Sequence, residues 1–445
     1  MRYRWLLFVF ALLGALAPAR ADDSPIAAAS LVGGAGDEEV TGARLQSDGS
    51  VVLAVSSGVG DDDGGRRRGG GGSGSVVRID RDGGKALATA SVPDAIYDLD
   101  LDSKDRVYVA AGSRGVVVLG PRTLDVKATI GLDSPCRRVA VGSDGTIAAL
   151  ADDGVYLIGG DGRGVRISEG KGYTCDVTVD GRSKTVIVVG YTNNRAHDGN
   201  RTEPVQICYV WGLDYRGKRK YTLYDWSADS ASERFLNKPE NNMADTRALR
   251  CSIGRDGFLY VAFEAAGGNH LFRYSPTDIT QKSKAIVGGD AHHSFHNSAS
   301  EHKTVFGRYR PDSGEVVLMQ QFCGRLGTGK ANAVRISDGQ ITADEEGRVV
   351  ICGAAAYGLP LTFNPPEAGE YTGGAFVLMM SADFKQRLLC TRITGGTAHA
   401  ADARARGPGA GLVFAGRADA DKPVALVKPM HAERGGVDGF FVIVR

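Results

Sequence analysis

Val40-Thr41-Gly42-Ala43-Arg44-Leu45-Gln46-Ser47-Asp48-Gly49-Ser50-Val51-Val52-Leu53-Ala54-Val55 reads as two short β-strands joined by a tight turn. Asp-Gly between apolar runs is a strong local signal for a hairpin. Six further segments repeat the pattern. They are Ile96–Ala110 around Ser103-Lys104-Asp105, Cys136–Leu150 around Ser143-Asp144-Gly145, and Cys175–Val189 around Gly181-Arg182-Ser183. Then follow Ala248–Phe263 around Arg255-Asp256-Gly257, Ile341–Cys352 around Glu345-Glu346-Gly347, and Ala398–Ala415 around Gly407-Pro408-Gly409. A second hairpin usually follows the first. Four strands repeating every 40–45 residues or so is the period of a β-propeller. Here the repeats are longer, and the surplus falls in identifiable insertions. The expected fold is all-β, a seven-bladed propeller.

Two stretches carry a resemblance. Leu31-Val32-Gly33-Gly34-Ala35-Gly36-Asp37-Glu38 leads into Ser47-Asp48-Gly49-Ser50-Val51-Val52, and Gly374-Ala375-Phe376-Val377 leads to Thr394-Gly395-Gly396. The order is an outer hairpin ending in Gly-Gly, a short acidic stretch, then an inner hairpin with Asp-Gly. It resembles the SBBP-type (seven-bladed β-propeller) repeats of exported bacterial proteins. The resemblance implies the fold and carries no site residues across.

The ends of the chain suggest how the ring closes. Asp438-Gly439-Phe440-Phe441-Val442-Ile443-Val444 is a strand with no hairpin partner after it, and Ile26–Val32 has none before it. Pairing the two would complete the last blade and hide both edges. An internal echo bears on the blade count. Cys323-Gly324-Arg325-Leu326 with Gly329, Ala331 and Ala333 recurs as Cys390-Thr391-Arg392-Ile393 with Gly396, Ala398 and Ala400. This makes Thr304–Phe322 and Ala375–Leu389 equivalent outer hairpins and leaves Leu271–Val287 as an extra one. Eight blades is therefore the alternative count, but His292–Lys303 lacks the β-branched residues of an inner hairpin.

Composition narrows the class. Arg2 and Arg4 precede the apolar run Trp5 to Ala17, and Ala19-Arg20-Ala21 supplies an A-x-A site. Residues 1–21 thus read as a signal peptide cleaved after Ala21, leaving 22–445 as a single secreted or periplasmic propeller domain. The apolar run is shorter than the roughly 20 residues that span a bilayer, so no membrane span is expected. Lys and Arg total 53 against 52 Asp and Glu, with no one-signed patch to hold nucleic acid. Arg66-Arg67-Arg68 follows Asp61-Asp62-Asp63 inside a Gly-rich loop at 57–75 and reads as a solvated insertion.

Successive turns of an antiparallel meander alternate between the two strand ends. Turns within hairpins are all short. The long connections all join one hairpin to the next: Ser57–Ser75, Tyr191–Pro204, Ser227–Asp245, Gly288–Lys303, Ala354–Gly373 and Arg417–Val437. One face should be plain and the other elaborated, and long loops on a rigid scaffold concentrate binding. Blade four is rich in aromatics, of which Tyr191, Trp211, Tyr224 and Trp226 are the candidates for contacting a protein or glycan. The plain alternative is that they pack sheet faces.

Cofactors are not expected, with one alternative. Asp290, His292, His293, His296 and His302 crowd the loop at 288–303, and Asp290, His293 and His296 could form a divalent metal set. Their spacing matches no zinc motif. Gly324-Arg325-Leu326-Gly327-Thr328-Gly329-Lys330-Ala331 resembles a phosphate-binding loop but lacks the final hydroxyl and a following helix. The seven cysteines leave at least one unpaired; buried thiols are the expectation, and a bridge between Cys136 and Cys175, each eleven residues before Ile147 or Val186, is the alternative. No Gly-x-Ser-x-Gly elbow occurs. The expectation is a non-catalytic binding or scaffold propeller acting through its long-loop face. The alternative is a metal-dependent hydrolase or lactonase with carboxylates converging at the channel mouth. Oligomeric state is not legible.

Overall fold

A computed structural model of the chain describes residues 24–34, 36–57, 59–61, 67–69, 72–198, 201–227, 244–295, 301–432 and 436–445. Seven four-stranded antiparallel sheets form the blades. Their innermost strands are Glu38–Leu45, Asp98–Leu101, Cys136–Val141, Tyr173–Asp180, Thr246–Ile253, Val334–Ala343 and Thr397–Arg404, in blades 1 to 7. Seven is the count, as the hairpin repeats imply.

The Asp-Gly turns form for a local reason. The Asp48 carboxylate accepts the N–H of Ser50 at 3.0 Å, and that of Asp144 accepts the N–H of Thr146 at 3.0 Å. Asp256 does the same for Phe258 at 3.2 Å. The next residue must then adopt a left-handed backbone, which Gly49 (φ 90°), Gly145 (83°) and Gly257 (83°) supply without a Cβ clash.

Each strand alternates sides, so its apolar residues face a neighbouring blade. The buried apolar residues divide into seven clusters, one for each space between adjacent blades. Val52, Ala54 and Val76 of blade 1, for example, meet Ile96, Leu99 and Val107 of blade 2. Six inner strands carry a β-bulge at the same height, between Val40/Gly42, Cys136/Arg138, Thr174/Asp176, Ala248/Arg250, Arg335/Gln340 and Ala398/Ala400. In blade 6 the bulge is larger and takes in Ile336 to Gly339.

Blade 7 closes the ring with both ends of the chain. Asp438–Val444 pairs with Gly411–Ala418 on one side and with Ile26–Val32 on the other, in registers Leu412↔Val444 and Ala29↔Val442. The C-terminal strand is thus third in its blade and the N-terminal strand outermost.

Three expectations change in detail. Tyr191–Pro204 is not a loop: Thr185–Asp198 and Arg201–Asp214 pair continuously, the last pair being Asp198↔Arg201. Leu271–Val287 is not a hairpin of a further blade. It makes a 3₁₀ turn at Leu271–Arg273, bridges Tyr274 to Lys282, and runs parallel to the outer strand of blade 5 through Ile286 and Met319. Cys136 and Cys175 are also out of register by one residue. Arg138 aligns with Asp176 at the bulge, because the inner turn is one residue longer in blade 4 than in blade 3. A one-residue shift changes the face a side chain meets. The two cysteines lie in different interblade clusters, and all seven cysteines are buried thiols outside any disulfide.

Deleting residues 438–445 removes the third strand of blade 7 and strands the outermost one. The truncated chain should be insoluble or melt far below the parent, whereas deleting 24–32 removes only an edge strand and should cost less. Equal melting of parent and the first truncation in a thermal scan would contradict the closure.

Candidate functional site

The inner strands surround an axial cavity of about 400 Å³. Ser47, Asp102, Ser103 and Asp105 from the short turns also line it, so it lies toward the plain face. Two rings of register-matched positions on the inner strands run round the axis; Asp98, Asp176 and Gln340 of the upper ring and all seven residues of the lower ring line the cavity. The upper ring reads Gly42, Asp98, Arg138, Asp176, Arg250, Gln340 and Ala400 around blades 1 to 7; the lower reads Arg44, Asp100, Ala140, Thr178, Ser252, Thr342 and Asp402.

The carboxylates in these rings hold one blade to the next. Asp98 accepts the N–H of Val139 at 3.1 Å and Asp100 that of Val141 at 2.9 Å, tying blade 2 to blade 3. Asp176 accepts the N–H of Cys251 at 3.0 Å, tying blade 4 to blade 5, and Asp402 that of Leu45 at 2.9 Å, tying blade 7 to blade 1. Three of them also face a guanidinium at ion-pair distance. Arg44 donates to Asp100 at 3.1 Å, Arg138 stands 4.0 Å from Asp176, and Arg255 donates to Asp402 at 2.6 Å. Charge-assisted bonds of this kind are the strong ones.

The electrostatics follow from burial and pairing together. Burial pushes the Asp98 and Asp100 carboxyls up, against the opposing pull of Arg138 and Arg44. Burial works against Arg44 as well, but Asp100, Asp402 and Asp98 outweigh it and raise its pKa. Arg250 is fully buried, and that burial, with Arg138 nearby, lowers it to about 10. Its guanidinium donates to Gly339 O at 2.8 Å, to Leu249 O at 2.7 Å and to Ser337 O. These bonds tie blade 5 to the enlarged bulge of blade 6. A buried His399–Glu39 pair at 2.9 Å, with His399 also bonded to Asp338 O, stands beside that bulge. At the mouth Arg255 reaches from blade 5 to Asp402 and Ala403 O of blade 7.

The aromatic candidates lie elsewhere. Tyr191 is buried, stacked on Tyr173 at 4.8 Å with Arg247 over its ring. Trp211 is buried between blades 3 and 4, sandwiched by Tyr209 at 4.4 Å and the Arg219 guanidinium at 3.5 Å, with its indole N–H on Asp225. Tyr224 is buried against Phe263 and Phe272, and Trp226 packs half-buried on the same cluster. Sheet packing accounts for all four positions.

The proposed metal set is spread over separate partners. Asp290 accepts from Arg387 at 2.6 Å, a bond that lowers its carboxyl to about 2. His293 is buried, with Nδ1 against Gln321 O at 2.6 Å, and burial lowers it to about 4. His296 lies outside the described residues. His292 bonds Cys323 O and His302 pairs with Glu264 at 2.7 Å. Among the described residues no three His, Cys, Asp or Glu side chains converge as a metal site would require. The phosphate-loop look-alike is a two-residue ladder, Gly324–Arg325 with Ala331–Asn332.

Reading the repeats for turns and apolar residues alone passed over the ring. The available signal was a charged residue recurring on the inner strands, as in Arg44, Asp98, Asp176 and Asp402.

No family model matches this chain, and no curated protein matches it. Among solved structures it is similar to a hydrazine synthase of Kuenenia stuttgartiensis, at 12% identity over 72% of this chain and 75% of that one, with a TM-score of 0.42. A likeness that distant carries no reading of the site.

Two outcomes follow. Asp402→Ala orphans the Leu45 N–H and leaves Arg255 without its carboxylate, which should cost roughly 3 kcal/mol in denaturant unfolding, while Asp402→Asn should cost less. The fully buried His270 is lowered to about 3 by burial. As pH falls below about 6.5 the unfolded chain takes up a proton that the folded one refuses, so stability drops by roughly 1.4 kcal/mol per pH unit until about pH 3. A His270→Gln chain should show a correspondingly flatter pH profile in chemical denaturation.

Proposed function

We propose that this chain is an exported, non-catalytic binding propeller, allied to the SBBP-type repeat proteins, that engages a protein or glycan through its long-connection face. One observation carries the reading: the two faces are unequal. The plain face consists of tight turns. On the other, the blade 4 ribbon runs beyond its sheet from Thr192 to Asp198 and back from Arg201 to Ile207. At about 3.3 Å per residue it projects roughly 20 Å. Its base is fixed by Gln206, whose N–H bonds Asp245 at 2.9 Å and whose amide bonds Asn193 at 2.9 Å, and by the burial of Val205 and Ile207. A firmly based ribbon with exposed edges suits recognition by strand addition or by its side chains.

The hydrolase or lactonase alternative needs free carboxylates at the channel. Those present are engaged by guanidinium groups and backbone N–H groups, which supports the binding reading instead.

Replacing residues 196–203 by Asn-Gly shortens the ribbon between Arg195 and Pro204 and leaves its buried base intact. The variant should melt with the parent and lose capture of the partner from extracellular extract or a glycan array. Unchanged capture, or turnover of a lactone and ester panel by the parent with added calcium or zinc, would replace this reading. Intact mass of the exported chain should correspond to residues 22–445.

A further inference from the structure

We infer that the axial cavity is a second binding site, for a small neutral polyhydroxylated molecule of monosaccharide size, entered from the plain face. Its volume of about 400 Å³ falls within the range of small-molecule sites. Its two walls differ. Blades 7, 1 and 2 contribute Asp402, Arg44 and Asp100, an acid–base–acid row; blades 4, 5 and 6, across the axis, contribute Thr178, Ser252 and Thr342, a row of hydroxyls, with Gln340 above them.

The hydroxyl wall is unspent. Thr178 is 5% exposed, and Thr342 and Gln340 are 8% exposed, yet among the described residues none of their side chains makes a hydrogen bond. The Ser252 hydroxyl is buried with no partner. Polar groups so enclosed carry a free-energy cost unless something bonds them. The residues concerned share one cavity and one side of it.

Charge selects the class of occupant. Six carboxylates and three guanidinium groups line the cavity, but Asp100, Asp102, Asp176 and Asp402 are paired with guanidinium groups, Asp98 accepts the N–H of Val139, and Asp105 accepts from Ser47, so an ion would have to disturb bonds already made. A neutral polyol brings hydroxyls that both donate and accept. Those hydroxyls can meet Thr178, Ser252 and Thr342 on one side and the carboxylate oxygens on the other. Arg44 spends its Nε–H on Asp100 and an Nη1–H on Ala43 O, which leaves further N–H groups to donate. Ala140, at an inward position of blade 3, offers a small apolar contact for the carbon skeleton.

The test is calorimetric titration of the full chain with D-glucose, D-galactose, N-acetylglucosamine and myo-inositol. The same sugars at the non-reducing end of oligosaccharides form a second arm, and glutamate, phosphate and spermidine a third. Binding of at least one neutral probe is expected. Thr178→Val with Thr342→Val should weaken it at least about tenfold, since each lost hydroxyl removes a hydrogen bond from a buried contact. Circular dichroism melting checks that this double variant stays folded, and Ser252→Ala repeats the test with a smaller change. The ribbon-shortened chain should bind as the parent does, which separates this site from the long-connection face. Free sugars binding better than oligosaccharide ends would mark a free metabolite as the ligand, and the reverse a glycan terminus; either agrees with the inference. No neutral probe bound up to tens of millimolar, preference for a charged probe, or unchanged affinity in folded hydroxyl variants would overturn it.

Discussion

The ring rests on a contact between an inward carboxylate and the backbone N–H of the next blade. A sheet edge leaves its amides unpaired, and blades meet side by side without a shared ladder. Asp98, Asp100, Asp176 and Asp402 cross that gap at the axis, where the strands lie closest, while apolar clusters fill the wider space outward. The carboxylates would be costly there alone. Arg44, Arg138 and Arg255 make the arrangement tolerable, so the channel lining and the blade spacing are one design.

That economy bears on chemistry. Inward acids in a propeller suggest a metal or a general base until their partners are counted. Here the acids serve the scaffold, and the polar capacity left over sits on the opposite wall, in uncharged groups. The cavity lies toward the plain face and the ribbon projects from the other, so the two are separated along the height of the strands.

Much of the architecture was legible because it is local. Asp48, Asp144 and Asp256 cap their own turns, and that chemistry needs nothing but the next two residues. The terminal strands were legible as runs lacking partners. The ribbon was not. Arg195-Ala196-His197-Asp198 shows no alternation of apolar residues, so this stretch of strand reads like a loop. Trp211 and Tyr224 were visible as aromatics, but their burial is decided by neighbouring blades and by the Arg219 and Phe263 that meet them. The one-residue difference between the inner turns of blades 3 and 4 misaligned Cys136 with Cys175, a reminder that counting from a turn assumes the turn is constant.

Blades 1 to 6 are each made from one continuous stretch of chain, and blade 7 is not. Ser30 accepts the N–H of Met430 and of His431, groups some 400 positions distant in the chain. Bringing such remote segments together carries an entropic cost that six finished blades reduce by holding the two ends near each other. Blade 7 is therefore the one blade that no single stretch of chain can complete, and a molecule lacking it would be an open arc with two exposed flanks, each a surface for joining a neighbour.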